Sequence, residues 1–364
     1  MKKVVIAGGG PAGAVAALIL ARRGISVLVL ESRPEPELKV GECLPPNLTP
    51  LLRHLGLEDL LLQGGHLRSL GNRFVWGSPR PGERPFLAGT QGDGWHVDRL
   101  TFETRLVERS QTAGAVWWWG CRLVRCDRFG ERWRLETRDG EILEADFVAD
   151  ATGRTSHIAR RLGAKRVRYD RLVGAAGLMW SRTLTPDTDT YTLVEAVPEG
   201  WWYSALLADE RLAVAFMTDG DLLDRDRNAW HSMLARTEAT RARVENHGYV
   251  LSKGTLRVLP AETSRLDTIA GDGWLALGDA AAAYDPLSSH GIGSAMGSGF
   301  YGGNAIADLL EGRAEARDAY LEVMQNAYGA CLDLQKKQYA QEGRWPEAPF
   351  WKRRLEAGYC LETV

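Results

Sequence analysis

The chain has 364 residues, of which 45% are hydrophobic and 25% charged, a composition typical of a globular protein with one large domain or two interleaved ones. A formal net charge of −2 gives no basis for binding nucleic acid or an anionic membrane surface. No apolar run approaches the roughly 18 residues of a transmembrane helix, the first strand leaves no room for a signal peptide, and the five cysteines form no C-x-x-C pair. We therefore predict a cytoplasmic protein with free thiols, no membrane segment and no nucleic-acid partner.

The N-terminal stretch joins a β-branched strand pattern to an apolar helix pattern through a glycine-rich turn. The turn has the spacing Gly-x-Gly-x-x-Gly, formed by Gly8, Gly10 and Gly13. In such turns the first glycine allows the sharp bend, the second lets the backbone approach a pyrophosphate, and the third lets helix and strand pack closely. The first turn of the helix, which starts at Pro11 and Ala12, would face the phosphates with its free N–H groups.

A second strand pattern follows at residues 25–31 and ends in Glu31, eighteen residues after Gly13. A carboxylate at this place can accept a hydrogen bond from a ribose 2′-OH. The strand, turn, helix and second strand together predict a βαβ unit that binds a dinucleotide. The alternative is a glycine-rich turn without a ligand.

The next part of the chain mixes helix, loop and strand patterns. Residues 76–94 are rich in Gly and Pro, which predicts a surface loop or an excursion into a second layer. A short helix before Gly56 and an amphipathic helix over 97–112 flank this segment. Four short strands are predicted between residues 115 and 149, with Asp139-Gly140 as the turn of a hairpin.

The character of the sequence changes at about residue 167. The patterns predict strands at 172–182, 189–196, 201–208 and 211–218, a polar helix at about 222–245 and a strand at about 251–259. Sequential strands with short connections favour an antiparallel sheet. Alternation along the third strand places Trp201 and Tyr203 on one face and Trp202 on the other. Because this segment contains no nucleotide motif, it is the predicted substrate domain.

The first unit then resumes with an apolar strand that ends in Gly278-Asp279. The chain passes through Asp285-Pro286 and Gly291-Ile292-Gly293 into a helix rich in small residues, which we expect to press against a flat surface. A long helix at 315–342 and an aromatic tail after residue 343 follow. We expect the tail to dock through its aromatic side chains.

Three motifs stand in order along the chain: the Gly-x-Gly-x-x-Gly turn with Glu31, the Ala-Thr-Gly turn at 151–153, and Gly278-Asp279 with the later Asp-Pro and Gly-x-Gly. Together they resemble the FAD-binding flavoprotein monooxygenase superfamily over essentially the whole chain. The resemblance implies FAD as cofactor and an α/β fold. This fold comprises a Rossmann-like FAD-binding domain of the glutathione-reductase type, an inserted antiparallel-sheet substrate domain and a C-terminal helical tail. The predicted domains are 1–165 with 262–312, 166–261 and 313–364.

The resemblance also implies roles for single residues. The Asp279 carboxylate would bind the ribityl or pyrophosphate region, and the backbone at 291–293 would lie against the pyrimidine edge of the isoalloxazine. Arg99 matches the residue of the family that reaches the cofactor from the side, and Arg33 can contact the adenosine end. The predicted cofactor-binding residues are Gly8, Gly10, Pro11, Ala12, Gly13, Glu31, Arg33, Arg99, Asp279, Pro286, Gly291, Ile292 and Gly293.

Within the superfamily, Val40-Gly41-Glu42 and the aromatic tail resemble two groups. One is the flavin-dependent halogenases. The other is the flavoproteins that mature tryptophylquinone-bearing lysine or glycine oxidases by hydroxylating a tryptophan of a partner protein. Two departures from the halogenase pattern favour the second group. Ser69 stands at the position of the halogenase lysine, four residues before Arg73-Phe74, and the segment 201–206 keeps only the first Trp of the halogenase motif W-x-W-x-I-P.

The resemblance thus implies a monooxygenase that hydroxylates an electron-rich aromatic ring through a flavin C4a-hydroperoxide. The favoured ring is a tryptophan that is free, peptide-bound or protein-bound. Two alternatives stay open: a tryptophan or indole halogenase, and a flavin-bearing maturation partner that acts mainly by binding a precursor protein. Asp150-Ala151 replaces the Asp-Gly pair of hydroxylases that use a nicotinamide directly, so a separate flavin reductase can supply the reduced cofactor.

Two side chains are candidates for catalysis. His290, in the turn beside the predicted flavin, can be an acid/base group or can hydrogen-bond its own loop. Glu42 can be the base that deprotonates an electron-rich aromatic, or a structural carboxylate that holds N–H groups of its loop. Cys43 is interpreted as a small packed residue. No cluster of His, Cys, Asp or Glu has metal-ligand spacing, so no metal is predicted.

Overall fold

The computed structural model describes residues 2–36, 41–89, 91–183, 186–224, 226–356 and 362–363, so Val40 of the halogenase-like motif and Cys360 lie outside the described residues. The α-helices are α1 (Pro11–Arg22), α2 (Thr49–Leu55), α3 (Asp59–Leu62), α4 (Arg99–Thr112), α5 (His157–Arg161), α6 (Arg227–Ala235), α7 (Ala239–Asn246), α8 (Gly291–Leu310), α9 (Glu315–Ala340) and α10 (Pro349–Leu355). Within the described part of the chain, no helix is long and apolar enough to cross a membrane.

The strands are β1 (Lys3–Ala7), β2 (Ser26–Glu31), β3 (Cys43–Leu44), β4 (Leu67–Ser69), β5 (Gly71–Val75), β6 (Gly82–Pro85), β7 (Gly94–His96), β8 (Val116–Trp119), β9 (Leu123–Phe129), β10 (Arg132–Thr137), β11 (Ile142–Ala145), β12 (Phe147–Asp150), β13 (Arg166–Arg168), β14 (Leu172–Ser181), β15 (Thr192–Val197), β16 (Gly200–Leu206), β17 (Leu212–Asp219), β18 (Tyr249–Leu251), β19 (Arg257–Pro260), β20 (Ser264–Leu266), β21 (Ala270–Gly271), β22 (Trp274–Ala276), β23 (Ala282–Ala283) and β24 (Glu362–Thr363). Single 3-10 turns lie at Pro46–Leu48, Phe86–Ala88, Gly153–Thr155, Gly278–Ala280 and Pro286–Ser288.

The N-terminal strand lies inside a six-stranded sheet with the order β21-β22-β12-β1-β2-β8. Strands β22, β12, β1, β2 and β8 run parallel, and β21 pairs antiparallel with β22. Residues 4–7 of β1 are buried throughout, as expected for a near-continuous apolar strand whose sheet is covered on both faces. The helix α1 connects β1 to β2, which completes the predicted βαβ unit. The predicted α/β fold class is confirmed.

The predicted helix of small residues is α8, and the surface that it presses against is α1. A Cβ atom at Gly299 would lie 2.3 Å from the carbonyl oxygen of Ala12, so a larger residue would force the two helices apart. Gly303 faces Ile19 in the same way, with a Cβ distance of 3.1 Å. This close approach holds the beginning of α8 near the beginning of α1.

Residues 116–150 contain five strands where the sequence predicts four. Strand β8 joins the edge of the parallel sheet, β9, β10 and β11 form a separate antiparallel sheet, and β12 returns beside β1. The hairpin turn at Asp139-Gly140 lies between β10 and β11 as predicted. The predicted number is too low because a single residue, Asp146, separates β11 from β12, and its carboxylate accepts the N–H of Lys3 at 2.7 Å.

The second large sheet has the order β18-β14-β17-β16-β15-β5-β6, with β19 beside β14. Its neighbours are antiparallel, as predicted for this segment, except that β15 pairs in parallel with β5. The Gly- and Pro-rich segment 76–94 therefore begins beside this sheet, and its strand β6 forms one edge. The predicted strand at 251–259 is two short strands, β18 and β19, separated by a turn with Gly254 at φ +77°.

The predicted helix at 222–245 is also two helices, α6 and α7. The break is explained by Glu195, a buried carboxylate on β15. It accepts hydrogen bonds from the backbone N–H groups of Glu238 (2.6 Å) and Thr240 (2.7 Å). These bonds satisfy the donors at the start of α7, so a new helix begins there.

The alternation predicted for β16 is confirmed. On one face Trp201 is buried in a cluster with Tyr339, Phe350 and Trp351. On the other face Trp202 packs with Phe216 and Trp230 among others. Phe350 and Trp351 are both 0% exposed, so the tail docks through its aromatic side chains as expected.

Candidate active site

A cavity of about 730 Å³ lies between the two large sheets. One side is formed by residues at the carboxyl ends of β1, β2 and β12 and by the first turns of α1 and α8. The other side is formed by β14, β16 and β17. Sites for small molecules and cofactors span about 300–1,000 Å³. Because open parallel sheets bind ligands beyond the carboxyl ends of their strands, this cavity is the candidate site.

The first turn of α1 opens into the cavity. Its N-cap residue is Gly10, and within the described residues no side chain caps this end of the helix. A Cβ atom at Gly13 would lie 2.1 Å from the carbonyl oxygen of Gly8, whereas one at Gly10 would meet no atom within 4 Å. Gly13 thus allows the packing of turn against helix, and Gly10 leaves open space on the ligand side. Helix N–H groups beside such a space are suited to a phosphate.

Glu31 ends β2 at the cavity edge and is 9% exposed. Its Oε2 accepts the N–H of Gly9 at 2.7 Å, and its Oε1 accepts the N–H of Arg33 at 2.9 Å. These bonds fix the carboxylate in place. A carboxylate offers about four acceptor positions, so capacity remains for a ribose hydroxyl.

Arg154 is a cavity residue that the sequence analysis missed. It follows the Ala-Thr-Gly turn after β12 and donates to the carbonyl oxygens of Glu262 and Tyr284, the latter at 3.1 Å. Its Nε lies 3.8 Å from Oδ2 of Asp279, so a positive charge faces that carboxylate across the cavity wall. A signal was available, because a charged side chain directly after the carboxyl end of a parallel strand lies at the ligand edge of the sheet.

The structure brings most of the predicted cofactor residues to this one cavity. Those that line it are Gly8, Gly10, Pro11, Ala12, Glu31, Arg33, Arg99, Asp279, Pro286, Gly291 and Ile292. Gly13 and Gly293 lie behind the lining. A Cβ atom at Gly293 would be 3.5 Å from the side chain of Leu48, which is ordinary packing distance.

Glu42 lies beyond the lining but is hydrogen-bonded to it. Its side chain is 3% exposed, and its Oε1 accepts the hydroxyl of Tyr203 at 2.8 Å, while Oε2 accepts the N–H of Gly41 at 2.8 Å. Tyr203 lines the cavity. Burial raises the pKa of Glu42, although the bonds from Tyr203 and Gly41 and the nearby Arg99 charge oppose the shift. Both predicted roles therefore fit: Glu42 holds its loop, and it can exchange a proton through Tyr203.

His290 precedes α8 and lies between two lining residues, Ser289 and Gly291, without lining the cavity itself. Its Nε2 lies 2.9 Å from Nδ2 of Asn47. Burial lowers the pKa of His290, so the ring is neutral at neutral pH. The contact with Asn47 fits a histidine that joins two loops.

The wall formed by the antiparallel sheet is aromatic and apolar. It consists of Trp201 and Tyr203 of β16, Met217 of β17 and small residues of β14. The thiol of Cys43 also faces this region, and burial raises its pKa to about 11, so the group is protonated and unreactive at neutral pH. This agrees with its interpretation as a packed residue.

The sequence matches a known protein family. The family model described as "FAD binding domain" covers residues 1–323. The chain belongs to this FAD-binding family. FAD is its cofactor, and the protein is an FAD-dependent oxidoreductase.

Three proteins illustrate what this chain is similar to. LodB of Marinomonas mediterranea, named as an FAD-dependent oxidoreductase, is 28% identical over 365 residues, which is 96% of each chain. The tryptophan 2-halogenase of Chondromyces crocatus is 26% identical and matches 90% of this chain and 65% of that protein. The solved structure of QhpG, a peptidyl tryptophan dihydroxylase, has a TM-score of 0.80 at 24% identity, covering 98% of this chain and 79% of the other.

The cavity fits this cofactor. The open space beside Gly10 and the free backbone N–H groups in the first turn of α1 suit a pyrophosphate. The guanidinium groups of Arg99 and Arg154 line the same cavity. A second helix start, that of α8, borders the cavity and has no side-chain cap within the described residues. Two helix N-termini and two cationic side chains suit a ligand with separate anionic groups.

Proposed function

We propose that this FAD-dependent oxidoreductase is a monooxygenase that hydroxylates an electron-rich aromatic ring. Its substrate is a tryptophan, free or within a peptide or protein. The observation that carries the proposal is a buried Glu42 carboxyl hydrogen-bonded to Tyr203 on an aromatic wall of the cofactor cavity. Replacing a ring hydrogen by oxygen requires a group that accepts a proton beside the ring. The pair of Glu42 and Tyr203 is such a group.

Different residues of the cavity would bind different parts of the FAD molecule. Bound in the cavity, reduced FAD supplies the electrons that activate dioxygen. We assign the first turn of α1 to the pyrophosphate, Glu31 to the adenosine ribose and the first turn of α8 to the flavin end. Arg99 and Arg154 offset the negative charge of the ligand.

The proton acceptor acts across one hydrogen bond. The hydroxyl of Tyr203 takes the proton that the substrate loses and passes its own proton to Oε1 of Glu42. Because burial raises the pKa of Glu42 above its usual value of 4.5, this carboxylate is a stronger base than an exposed one. The apolar side chains of Trp201 and Met217 keep water from the same wall.

Halogenation is the second candidate, because a tryptophan halogenase is among the relatives. Ser69, at the position of the halogenase lysine, is fully buried on β4 and outside the cavity lining. No lysine lines the cavity among the residues that the structure describes, and Lys39 lies outside them. A serine cannot form or relay hypohalous acid as an ammonium group does, which favours oxygen insertion.

The test is product analysis with a supplied reductase. The FAD-loaded protein is given a flavin reductase, NADH, air and either free tryptophan or a tryptophan-containing peptide, with and without chloride or bromide. We expect products that gain one or two oxygen atoms, independent of halide, and no product when the reductase is omitted. The last expectation follows from Asp150-Ala151, which replaces the Asp-Gly pair of hydroxylases that use a nicotinamide directly.

Two outcomes decide against the proposal, and a third would change only the source of electrons. A chlorinated or brominated product that requires halide would assign the halogenase function. A stable complex with a tryptophan-containing precursor protein, without oxygen consumption above the protein-free control, would assign the maturation-partner function. If NADH reduces the bound flavin directly, no separate reductase is needed. The proposed hydroxylation is then tested by the product alone.

A further inference from the structure

Redox-active side chains lead from the cavity wall toward the protein surface. Trp201 lines the cavity and is 1% exposed, and its Nε1–H donates to the hydroxyl oxygen of Tyr339 at 3.1 Å. The ring of Tyr339 lies 5.9 Å from that of half-buried Trp76, centroid to centroid. Trp351 is packed behind both, 6.0 Å from Tyr339 and 5.2 Å from Trp76. A hydrogen bond therefore joins the first two side chains of the path from cavity to surface, and a ring contact joins the second to the third.

The middle residue of this path has a proton acceptor. The hydroxyl of Tyr339 donates to Oδ2 of Asp285 at 2.7 Å, and Nε2 of Gln335 donates to the same oxygen at 3.0 Å. Asp285 is 3% exposed, and burial raises its pKa to about 6. At neutral pH the carboxylate can accept the phenolic proton and return it. A tyrosine is oxidised by one electron far more easily when its proton has such an acceptor, because the radical cation is avoided.

We propose that Trp201, Tyr339 and Trp76 form an escape path that carries oxidising equivalents from the cavity to the surface when oxygen chemistry occurs without substrate. The path protects the side chains of the cavity from oxidants that form when oxygen is activated without substrate. It goes beyond the proposed function, because hydroxylation and halogenation alike expose the cavity to activated oxygen.

The electron balance is that of a one-electron relay. A one-electron oxidant derived from dioxygen, represented by the hydroxyl radical, takes an electron from Trp201 and a proton from solvent and becomes water. Trp201 is reduced by Tyr339, which passes its proton to Asp285. Tyr339 is reduced by Trp76 and regains that proton. A small-molecule thiol at the surface reduces Trp76 and releases its proton to solvent, so the sum is hydroxyl radical plus thiol giving water plus a thiyl radical.

The experiment maps oxidation damage in the FAD-loaded full-length protein. The bound flavin is reduced by light, air is admitted without substrate, and oxidised peptides are quantified by mass spectrometry with and without glutathione. We expect oxidation to concentrate at Trp76, to spare Trp201, and to fall when glutathione is present. Tyr339→Phe removes the phenolic proton and the redox-active ring, so oxidised Trp201 should rise several-fold while oxidised Trp76 falls.

A matched control is Tyr320→Phe. Tyr320 is as buried as Tyr339, at 2% exposure, and also donates its hydroxyl, to the carbonyl oxygen of Ala276 at 2.7 Å, but it lies outside the path. Its variant should keep the parental damage pattern. Trp76→Phe, at a half-buried position, tests the exit independently: oxidation should shift to Trp201 and Tyr339, and glutathione should lose its effect. An unchanged damage pattern in both path variants, or Trp201 as the main damaged residue of the parent, would overturn the proposal.

Discussion

Glu42 is a residue whose neighbours decide its chemistry. It stands one position before the cavity-lining Cys43, and it is hydrogen-bonded to the lining at Tyr203 and at the backbone N–H of Gly41. Burial raises its pKa, and the N–H of Gly41 limits that rise by stabilising the carboxylate. The residue thus combines a fixed position with a proton affinity higher than that of an exposed glutamate, two properties of a general base.

The corresponding prediction concerns the pH–rate profile. Glu42→Gln should lower kcat by about 10²–10⁴-fold, the range for losing one general acid–base group. In the parent, activity should rise with pH through the raised pKa of Glu42, because only the carboxylate accepts a proton. This acidic limb should lie above pH 4.5, the usual value for glutamate, and should be absent in the variant.

The control for this prediction is Glu342→Gln. Glu342 is a buried carboxylate at 0% exposure that pairs with Arg344 and lies outside the cavity lining. The Glu342→Gln variant should keep the acidic limb of the parent's pH–rate profile. A Glu42→Gln enzyme with the same limb and rate as the parent would show that Glu42 only holds its loop.

At the residue scale, local spacing was enough to predict which residues of the glycine-rich turn come together. Glu31 and Gly10 were predicted from their positions around one turn, and both line the cavity. Tyr203 could be placed on a face of its strand, but its bond to Glu42 joins residues 161 positions apart, which no local pattern encodes. Arg154 was missed although its place after a parallel strand was a usable signal.

At the scale of elements, the βαβ unit separates two uses of glycine. Gly13 serves the contact between turn and helix, where a Cβ atom would lie 2.1 Å from the carbonyl oxygen of Gly8. Gly10 borders open space and has an extended backbone with φ −71°, which any residue can adopt. The same motif therefore contains one position required by the fold and one that we assign to the ligand.

Alanine at these two positions should give opposite results. Gly13→Ala should destabilise the FAD-free protein by about 1–3 kcal/mol, a typical cost of overpacking, as measured by urea unfolding. Gly10→Ala should leave that stability within about 0.5 kcal/mol but weaken FAD binding by at least about tenfold, measured by titration of flavin fluorescence. Each variant serves as the control for the other. Equal effects of both on stability, with FAD affinity unchanged, would contradict the assignment of the turn.

The element patterns also show the limits of periodicity. The predicted helix at 222–245 has a continuous polar pattern, and its interruption depends on Glu195, a residue of a distant strand that caps α7. Strand β5 was not predicted, and β6 could be recognised only as part of the Gly- and Pro-rich segment 76–94. The strand that joins β5 to the large sheet is β15, which begins at Thr192, more than a hundred residues later. Strand and helix type were thus predictable, while breaks and pairings made by distant residues were not.

At the scale of the whole molecule, Asp285 connects three parts of the chain. It precedes α8, accepts from Gln335 and Tyr339 of α9, and reaches Trp201 of the antiparallel sheet through the Tyr339 hydroxyl. Burial raises its pKa from 3.8 to about 6. Because the folded state holds this proton more tightly than the unfolded state, the contribution of protonated Asp285 to the free energy of unfolding is complete below pH 3.8. It is lost as the pH rises through about 6.

Asp285→Asn should remove this pH dependence. Relative to the parent, the free energy of unfolding of the variant should increase by on the order of 3 kcal/mol as the pH rises through this window, measured by urea unfolding. Asp318→Asn, at a side chain that is 80% exposed, should follow the parental curve throughout. Parallel curves for the parent and Asp285→Asn would mean that this carboxyl titrates alike in folded and unfolded chains.

The interleaving of the two large sheets has a consequence for biosynthesis. The parallel sheet begins at Lys3 but needs β22, at residues 274–276, to cover its β12 edge, and the strand β5 at 71–75 needs β15 at 192–197. A ribosome adds about 5–20 residues per second, so the apolar strands near the N-terminus wait many seconds for their partners. During this time they are exposed edges that can pair with other nascent chains. We therefore expect the protein to fold late in its synthesis, and its yield in the cell should depend on chaperones that shield the emerging N-terminal half.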